Sequence, residues 1–375
     1  MNIQMVGLKG QYDKIRDEIN TEIQKVLDST AFINGPKVKE FASHLSKYLG
    51  GTHVVPCANG TDALQIALMA LGLQPGDEVI LPVHTYVATA EVIALLKLTP
   101  VFVDVDSDYF TIDVRQIENK ITSKTKAIVP VHLYGQCADM EPLMQIAQKY
   151  NLYVVEDTAQ AIGAKYTFPN GKEVFAGNIG HIGTTSFFPS KNLGAYGDGG
   201  AMFVQNKELA EKCRMIANHG QSVKYHHDII GCNSRLDTLQ AAILDVKLKY
   251  LDDYSHARQK AAKYYDEKLQ NISEIKIPAI SPKSSHVYHQ YTIVLSDSVD
   301  RDQLQKYLKE KNIPTMIYYP VPLHQQKAYL EHNRNESFPV TEKLSKTVLS
   351  LPIHTEITTK EQDFIVSSIN DFLKS

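Results

Sequence analysis

Thr184-Thr-Ser-Phe-Phe-Pro-Ser-Lys-Asn-Leu-Gly-Ala-Tyr-Gly-Asp-Gly-Gly200 sets a lysine on a short turn between an aromatic run and a glycine cluster. Five glycines and alanines after Lys191 strip bulk from the stretch, so a flat ligand or another backbone can come close. A solvated lysine in a glycine loop would look the same. The segment upstream, Asn151-Leu-Tyr-Val-Val-Glu-Asp-Thr-Ala-Gln160, decides between the two readings. Its apolar run stops abruptly at two carboxylates, as a buried parallel strand does where it reaches a site at its carboxyl end. Lys191 offers an amine for an aldehyde, Asp157 an anion for a ring nitrogen, and the small-residue turns offer backbone amides for a phosphate. Those are the parts of a pyridoxal phosphate site.

Outward from this pair, strand-like and helical stretches alternate. Strands are expected at Glu78 to Pro82, Val101 to Val105, Ala127 to His132, Leu152 to Asp157, Thr184 to Phe188 and Ala201 to Val204. Helices are expected near Ala88 to Lys97, Asp113 to Lys120 and Met140 to Tyr150. Such alternation argues for an α/β fold on a mostly parallel sheet, with the chemistry collected at one sheet edge. Before it, Tyr12, Ile15, Ile19, Ile23 and Val26 recur at helical spacing, and Ser29 to Pro36 breaks the pattern, giving an amino-terminal arm of residues 1–35. A helix from about Lys37 to Leu49 leads into a strand at His53 and a buried helix from Thr61 to Leu71. Leu236, Leu239, Ile243, Val246 and Tyr250 mark one face of a long helix, expected to bridge the domains. Beyond it an alternating run from Val287 to Leu295, a helical Arg301 to Lys311 and a strand-like Ile313 to Tyr319 predict a smaller α+β domain. The boundaries are 36–252 for the large domain and 253–375 for the small one.

Composition bounds the alternatives. With 375 residues, 43% hydrophobic and 22% charged, the chain is neither disordered nor fibrous and is long enough for two domains. A net charge of −3 gives no general attraction to nucleic acid or an anionic membrane, so any anionic ligand is met locally. Cys57, Cys137, Cys213 and Cys232 are scattered without CxxC spacing, which points to reduced core thiols and to no metal site. The amino-terminal Met1-Asn-Ile-Gln-Met-Val-Gly-Leu-Lys9 lacks a basic region followed by a long apolar core, no stretch approaches the length of a membrane span, and a cytoplasmic location is expected.

Further residues fit the same chemistry, each beside a plainer reading. Gly60 and Thr61 in Ala58-Asn-Gly-Thr-Asp62 offer a tight turn, a hydroxyl and a helix start for a phosphate, or only a helix cap. Ser186 adds a hydroxyl, or is a buried strand serine. Tyr86, past the strand ending at Pro82, can stack on a pyridine ring or belong to the core. Gln160 can bond a ring hydroxyl or be a surface amide. Asn233 and Arg235, just before the long helix, can reach a phosphate or a carboxylate, or brace that helix. His324, Tyr318 and Tyr319 are candidates for a pocket wall or for core; His226 and His227 are weaker candidates.

With those residues placed, the chain resembles the DegT/StrS group of nucleotide-sugar aminotransferases, from Phe32-Ile-Asn-Gly35 to Leu351-Pro-Ile-His354. The signatures are Asn59-Gly-Thr-Asp-Ala-Leu64, Glu156-Asp-Thr-Ala-Gln-Ala161, Ser186-Phe-Phe-Pro-Ser-Lys191, Gly197-Asp-Gly-Gly200 and Asn233-Ser-Arg-Leu236. The resemblance implies a fold type I, aspartate aminotransferase-like architecture, with a mostly parallel seven-stranded sheet in the large domain. It implies that Lys191 bonds the pyridoxal phosphate, Asp157 meets its ring nitrogen, Gln160 its hydroxyl and Tyr86 its ring face. Gly60, Thr61 and Ser186 are implied to hold the phosphate, joined by Asn233 from the neighbouring subunit of a homodimer with shared sites. L-glutamate would be the donor and a nucleotide-linked keto-sugar the acceptor.

Within the family, Gly220-Gln-Ser-Val-Lys-Tyr-His-His227 and Tyr318-Tyr-Pro-Val-Pro-Leu-His-Gln325 look similar to enzymes aminating carbon 3 of UDP-2-acetamido-2-deoxy-3-oxo-glucuronate, in O-antigen or capsule synthesis. Arg235 would then meet the sugar carboxylate. Asn192, where that subgroup is expected to carry proline, and Lys224 in a stretch often rich in arginine, are departures from it. A dTDP-keto-deoxysugar is the alternative acceptor. A sugar dehydratase on this fold would carry histidine in place of Lys191, and a nucleotide-binding dehydrogenase would need GxGxxG where Cys57-Ala-Asn-Gly-Thr-Asp62 has one glycine. A regulator on the same fold would be expected to lose the lysine or gain a DNA-binding domain.

Overall fold

The structure, a computed structural model, describes residues 3–330 and 336–374. Its central sheet takes β1 (His53–Cys57), β2 (Glu78–Pro82), β3 (Thr99–Val103), β4 (Thr125–Ile128) and β5 (Tyr153–Asp157). A small hairpin of β6 (Lys165–Thr167) and β7 (Glu173–Phe175) intervenes before β8 (Ile182–Ser186) and β9 (Gly200–Val204) complete the seven. The order across the sheet is β1-β9-β8-β5-β4-β2-β3, and β9 runs against the other six. Val154, Val155, Ala201, Met202 and Phe203 are buried on successive positions because both sheet faces are covered. The covering helices include α1 (Leu8–Ser29), α2 (Pro36–Tyr48), α3 (Gly60–Ala70), α4 (Ala88–Leu95), α5 (Met140–Tyr150) and α6 (Lys207–Ala217).

Three expected elements differ. Asp113 to Lys120 forms two short 3-10 turns, Val114–Gln116 and Glu118–Lys120, since the Asp113 carboxylate accepts from the Arg115 backbone amide and guanidinium and from the Gln116 side-chain Nε2, tightening the first turn. Ile313 to Tyr319 is no strand; Met316 alone bridges Ser350, and Pro314 takes a donor out of any ladder. The helix expected between Leu236 and Leu251 to bridge the domains is the short α7 (Thr238–Leu248), followed directly by α8 (Leu251–Leu269). It is α8 that crosses. Its Leu251 lies in a core with Phe41, Phe187 and Leu244, while its Ala261, Ala262, Tyr265 and Leu269 lie in a second core with Tyr291, Ile293, Leu349 and Ile365.

After the exposed hairpin of β10 (Gln221–Val223) and β11 (His226–His227), that second core forms on a three-stranded antiparallel sheet. Its strands are β12 (Ile275–Lys276), β13 (Tyr291–Leu295) and β14 (Val348–Leu351), packed by α8, by α9 (Arg301–Glu310) and by the helix Thr359–Leu373. The amino-terminal segment touches both parts: Ile3 is buried in the second core, and Ile15 and Ile19 of α1 pack on Ile243 and Val246 of α7.

Candidate active site

β1, β2, β4, β5 and β8 end on one edge of the large sheet, where the reversed β9 begins. Gly200 pairs with Ser186 on one side and Cys57 on the other, so the ends of β8 and β1 are brought level. The turns after them interlock: a Cβ on Gly60 would stand 2.6 Å from Ser186 Cβ, and one on Gly200 2.3 Å from the Asn59 carbonyl oxygen. Glycine is required at both by this approach. Asn59 caps α3 by accepting from the Asp62 amide at 2.8 Å. The Gly60 and Thr61 amides therefore remain at the positive end of the helix, beside the Ser186 hydroxyl, in a cradle suited to a phosphate.

Side-chain alternation along β5 separates the two carboxylates. Glu156 is fully buried and structural: it accepts from the amides of Gly177, Ile179 and Gly180 and pairs with His132 at 2.9 Å. His132 Nδ1 accepts from the Ala138 amide, so Nε2 carries the hydrogen toward Glu156. Asp157 points to the site and is held by Thr89 Oγ1 at 2.9 Å and the Ala159 amide at 3.0 Å. Thr89, on α4, was not visible as a site residue in the sequence.

Lys191 sits on a turn closed by its own amide to the Phe188 carbonyl at 2.8 Å, and no hydrogen bond to Nζ is found among the described residues. Burial pulls its pKa down to about 8, against the pull of the Asp157 charge. It is an amine that deprotonates near neutrality. Gln160 is buried, not a surface amide. Its Oε1 accepts from the Tyr134 amide at 2.7 Å and its Nε2 donates to the Tyr319 hydroxyl at 3.2 Å, which leaves one amide hydrogen for a ligand. Tyr134 in turn donates to the Tyr318 carbonyl, and its hydroxyl lies 3.2 Å from Nε2 of the buried His84. Tyr86 is 59% exposed at this edge, its ring 6.2 Å from that of Tyr319. Burial pushes the phenol of Tyr319 up, keeping it neutral.

Lys191, Asp157, Gln160, Tyr86, Tyr318 and Tyr319 are thus brought to one edge with Gly60, Thr61 and Ser186. Others are not. His324 is buried against Phe338, with Nε2 3.3 Å from Glu342, and belongs to packing under the helix Pro339–Thr347. Arg235 lines a groove of about 550 Å³ with Asn34, Val38, Lys39 and Arg214, between α2 and β1, and bonds none of the residues around Lys191. Asn233 is exposed, and its backbone forms a bridge to Asn218. His226 and His227 are exposed on the β10–β11 hairpin. Two residues next to the site had no site role in the sequence reading, which met Asn192 only as a departure from the subgroup. Asn192 is buried and donates to the Val287 carbonyl at 2.9 Å, and His289 lies 3.3 Å from its Oδ1.

The model of the DegT/DnrJ/EryC1/StrS aminotransferase family matches residues 13–370. The chain is 46% identical to a pleiotropic regulatory protein of Geobacillus stearothermophilus, covering 100% of this chain and 99% of that one. It is 45% identical to a UDP-2-acetamido-2-deoxy-3-oxo-D-glucuronate aminotransferase of Pseudomonas aeruginosa, covering 98% and 100%. To a dTDP-3-amino-3,6-dideoxy-alpha-D-galactopyranose transaminase of Aneurinibacillus thermoaerophilus it is 44% identical over 96% of each. Among solved structures, NtdA from Bacillus subtilis with bound cofactor PMP superposes with a TM-score of 0.90 at 36% identity, covering 99% of this chain and 83% of that one.

Proposed function

The chain belongs to the DegT/DnrJ/EryC1/StrS aminotransferase family and is a pyridoxal phosphate-dependent sugar transaminase; from this we propose that it moves an amino group from L-glutamate to carbon 3 of a nucleotide-linked keto-sugar. The acceptor we assign is UDP-2-acetamido-2-deoxy-3-oxo-glucuronate, in surface polysaccharide synthesis in the cytoplasm. No helix among the described residues is long and apolar enough to cross a membrane. The observation that carries the reading is the edge where a low-pKa amine at Lys191, the Asp157 carboxylate and the Gly60–Ser186 cradle meet.

These residues fit the cofactor. Gly60, Thr61 and Ser186 would hold its phosphate, Asp157 its ring nitrogen, the spare hydrogen of Gln160 its hydroxyl, and Tyr86 its ring face. Bound there, pyridoxal phosphate supplies an aldehyde for an amine and a ring that takes up electrons when a carbon–hydrogen bond breaks. Thr89 and the Ala159 amide fix the Asp157 carboxylate so that one oxygen stays aimed at its target. Lys191 anchors the cofactor and, once displaced, moves a proton with Nζ, a task its lowered pKa suits.

The second reading, a dTDP-keto-deoxysugar acceptor, is favoured by the place of Arg235, whose guanidinium lies in a groove apart from Lys191. Reverse reactions with amino-sugar nucleotides differing only at carbon 6 separate the two. The uronate is expected to react at least about tenfold faster in kcat/KM, the scale of one carboxylate contact. Equal rates with the carbon 6 methyl form would reject the uronate and the Arg235 assignment together.

We also assign a homodimer with shared sites. Val223, Tyr225 and Ile230 are 62%, 79% and 86% exposed on and after the hairpin, an apolar surface that a second copy would cover. Asn233, exposed next to it, would reach the phosphate of the partner's cofactor. Asn233→Ala is expected to weaken cofactor retention about tenfold in equilibrium dialysis while circular dichroism stays unchanged. Light scattering of a fully active monomer would remove the assignment.

A further inference from the structure

Asn192 follows Lys191 directly, and its amide is oriented by its own bonds. Nδ2 donates to the Val287 carbonyl at 2.9 Å, so the atom facing His289 Nδ1 at 3.3 Å is Oδ1. A carbonyl oxygen only accepts; the hydrogen of the neutral imidazole is therefore on Nδ1, and Nε2 keeps its lone pair. The ring is held from the backbone side too. Arg258 NH1 lies 3.1 Å from the Tyr288 carbonyl and 3.4 Å from that of His289, and a Cβ on Gly135 would be 2.9 Å from the His289 nitrogen. Burial, then the positive charges of Lys191 and Arg258, hold the imidazole well below its usual range, so it stays neutral. No group bonds Nε2 among the described residues.

We propose that His289 is a positioning residue for transamination: its Nε2 accepts a hydrogen bond from the Lys191 amine once that amine is displaced, fixing the direction in which Nζ delivers its proton. This rests on the role assigned to Lys191. A carboxylate in the same place would stabilise the ammonium and push its pKa up, whereas a neutral acceptor orients the nitrogen without adding negative charge. Asn192 fixes the tautomer, and Arg258 fixes the backbone that carries the ring.

The test uses side chains that keep one ring nitrogen each. The terminal amide of glutamine lies near the position of Nε2, that of asparagine near Nδ1. In cofactor-loaded protein, the rate at which L-glutamate bleaches the visible absorbance is expected to fall within about tenfold for His289→Gln. For His289→Asn and His289→Ala it is expected to fall about a hundredfold, with the glutamate KM little changed. Asparagine matching or exceeding glutamine would mean that the ring serves only its bond to Asn192, and the proposal falls. The tautomer is read separately, by nitrogen NMR of the imidazole in cofactor-free protein. Nδ1–H is expected in the parent, and a mixture of tautomers in Asn192→Leu. An Nε2–H parent overturns the proposal whether or not the protein bleaches. Absence of bleaching by the parent would instead count against the Lys191 role, and the NMR result still decides the imidazole.

Discussion

Lys191→Ala protein is expected to be folded and colourless after incubation with pyridoxal phosphate, and to have lost transamination about a thousandfold or more. Two functions vanish together, the covalent anchor and the proton carrier, and the second alone is worth about 10²–10⁴. Absorbance, circular dichroism and product analysis by mass spectrometry are the readouts; a colourless variant with unchanged activity would end the role given to Lys191. The lowered pKa adds a pH signature. With the amine titrating at about 8, cofactor uptake by the parent should rise with pH through that value and then level off, instead of climbing into the ordinary lysine range. The sign for stability follows. The folded pKa lies below the unfolded one, so between about 8 and the ordinary value the unfolded chain binds more protons, and this group's contribution to cofactor-free stability increases with pH across that window.

Asp157→Asn should be the next most damaging change, costing about a hundredfold to a thousandfold in kcat, the usual loss when a preorganised electrostatic partner is removed. Asparagine keeps the shape: its Oδ1 can still accept from the Ala159 amide, and its Nδ2 can donate to the Thr89 hydroxyl, which then turns from donor to acceptor, so folding and cofactor binding are expected to survive. What goes is the negative charge that favours a protonated ring nitrogen. A variant with parental kcat and a parental spectrum would place that charge elsewhere.

Much of this site was legible because it is written locally. The strand ending Val154-Val-Glu-Asp157, the Asn59-Gly-Thr turn and the Lys191 turn each carry their chemistry within a few residues, and the parallel sheet brings strand ends to one edge. Even there, which of Glu156 and Asp157 faces the ligand depends on strand phase. The partners that orient the site are distant in the chain. Thr89 is 68 residues from Asp157, and Asn192 is 97 from His289; nothing in either stretch announces the other. His324 looked like a pocket residue because a proline-stiffened turn precedes it, yet the turn packs its ring on Phe338. The apolar stripe from Leu236 to Tyr250 marked α7 but not the crossing, which falls to α8; no glycine or proline at Lys249 and Tyr250 announces that a second helix starts there.

Arg258 rides on α8, and the three carbonyls around its NH1, those of Tyr288, His289 and Ile353, all lie in or beside the second core. The stretch that carries the imidazole is also fastened to the large domain on both sides of the ring: the Val287 amide donates to the Gly135 carbonyl at 2.8 Å, the Gln290 amide to the Tyr134 carbonyl at 3.3 Å, and Asn192 Nδ2 to the Val287 carbonyl at 2.9 Å. The ring is therefore a rivet through both cores, with Arg258 on one side and Asn192 on the other. A change that loosens Arg258 would be felt at Lys191 through that rivet, although the two residues share no hydrogen bond.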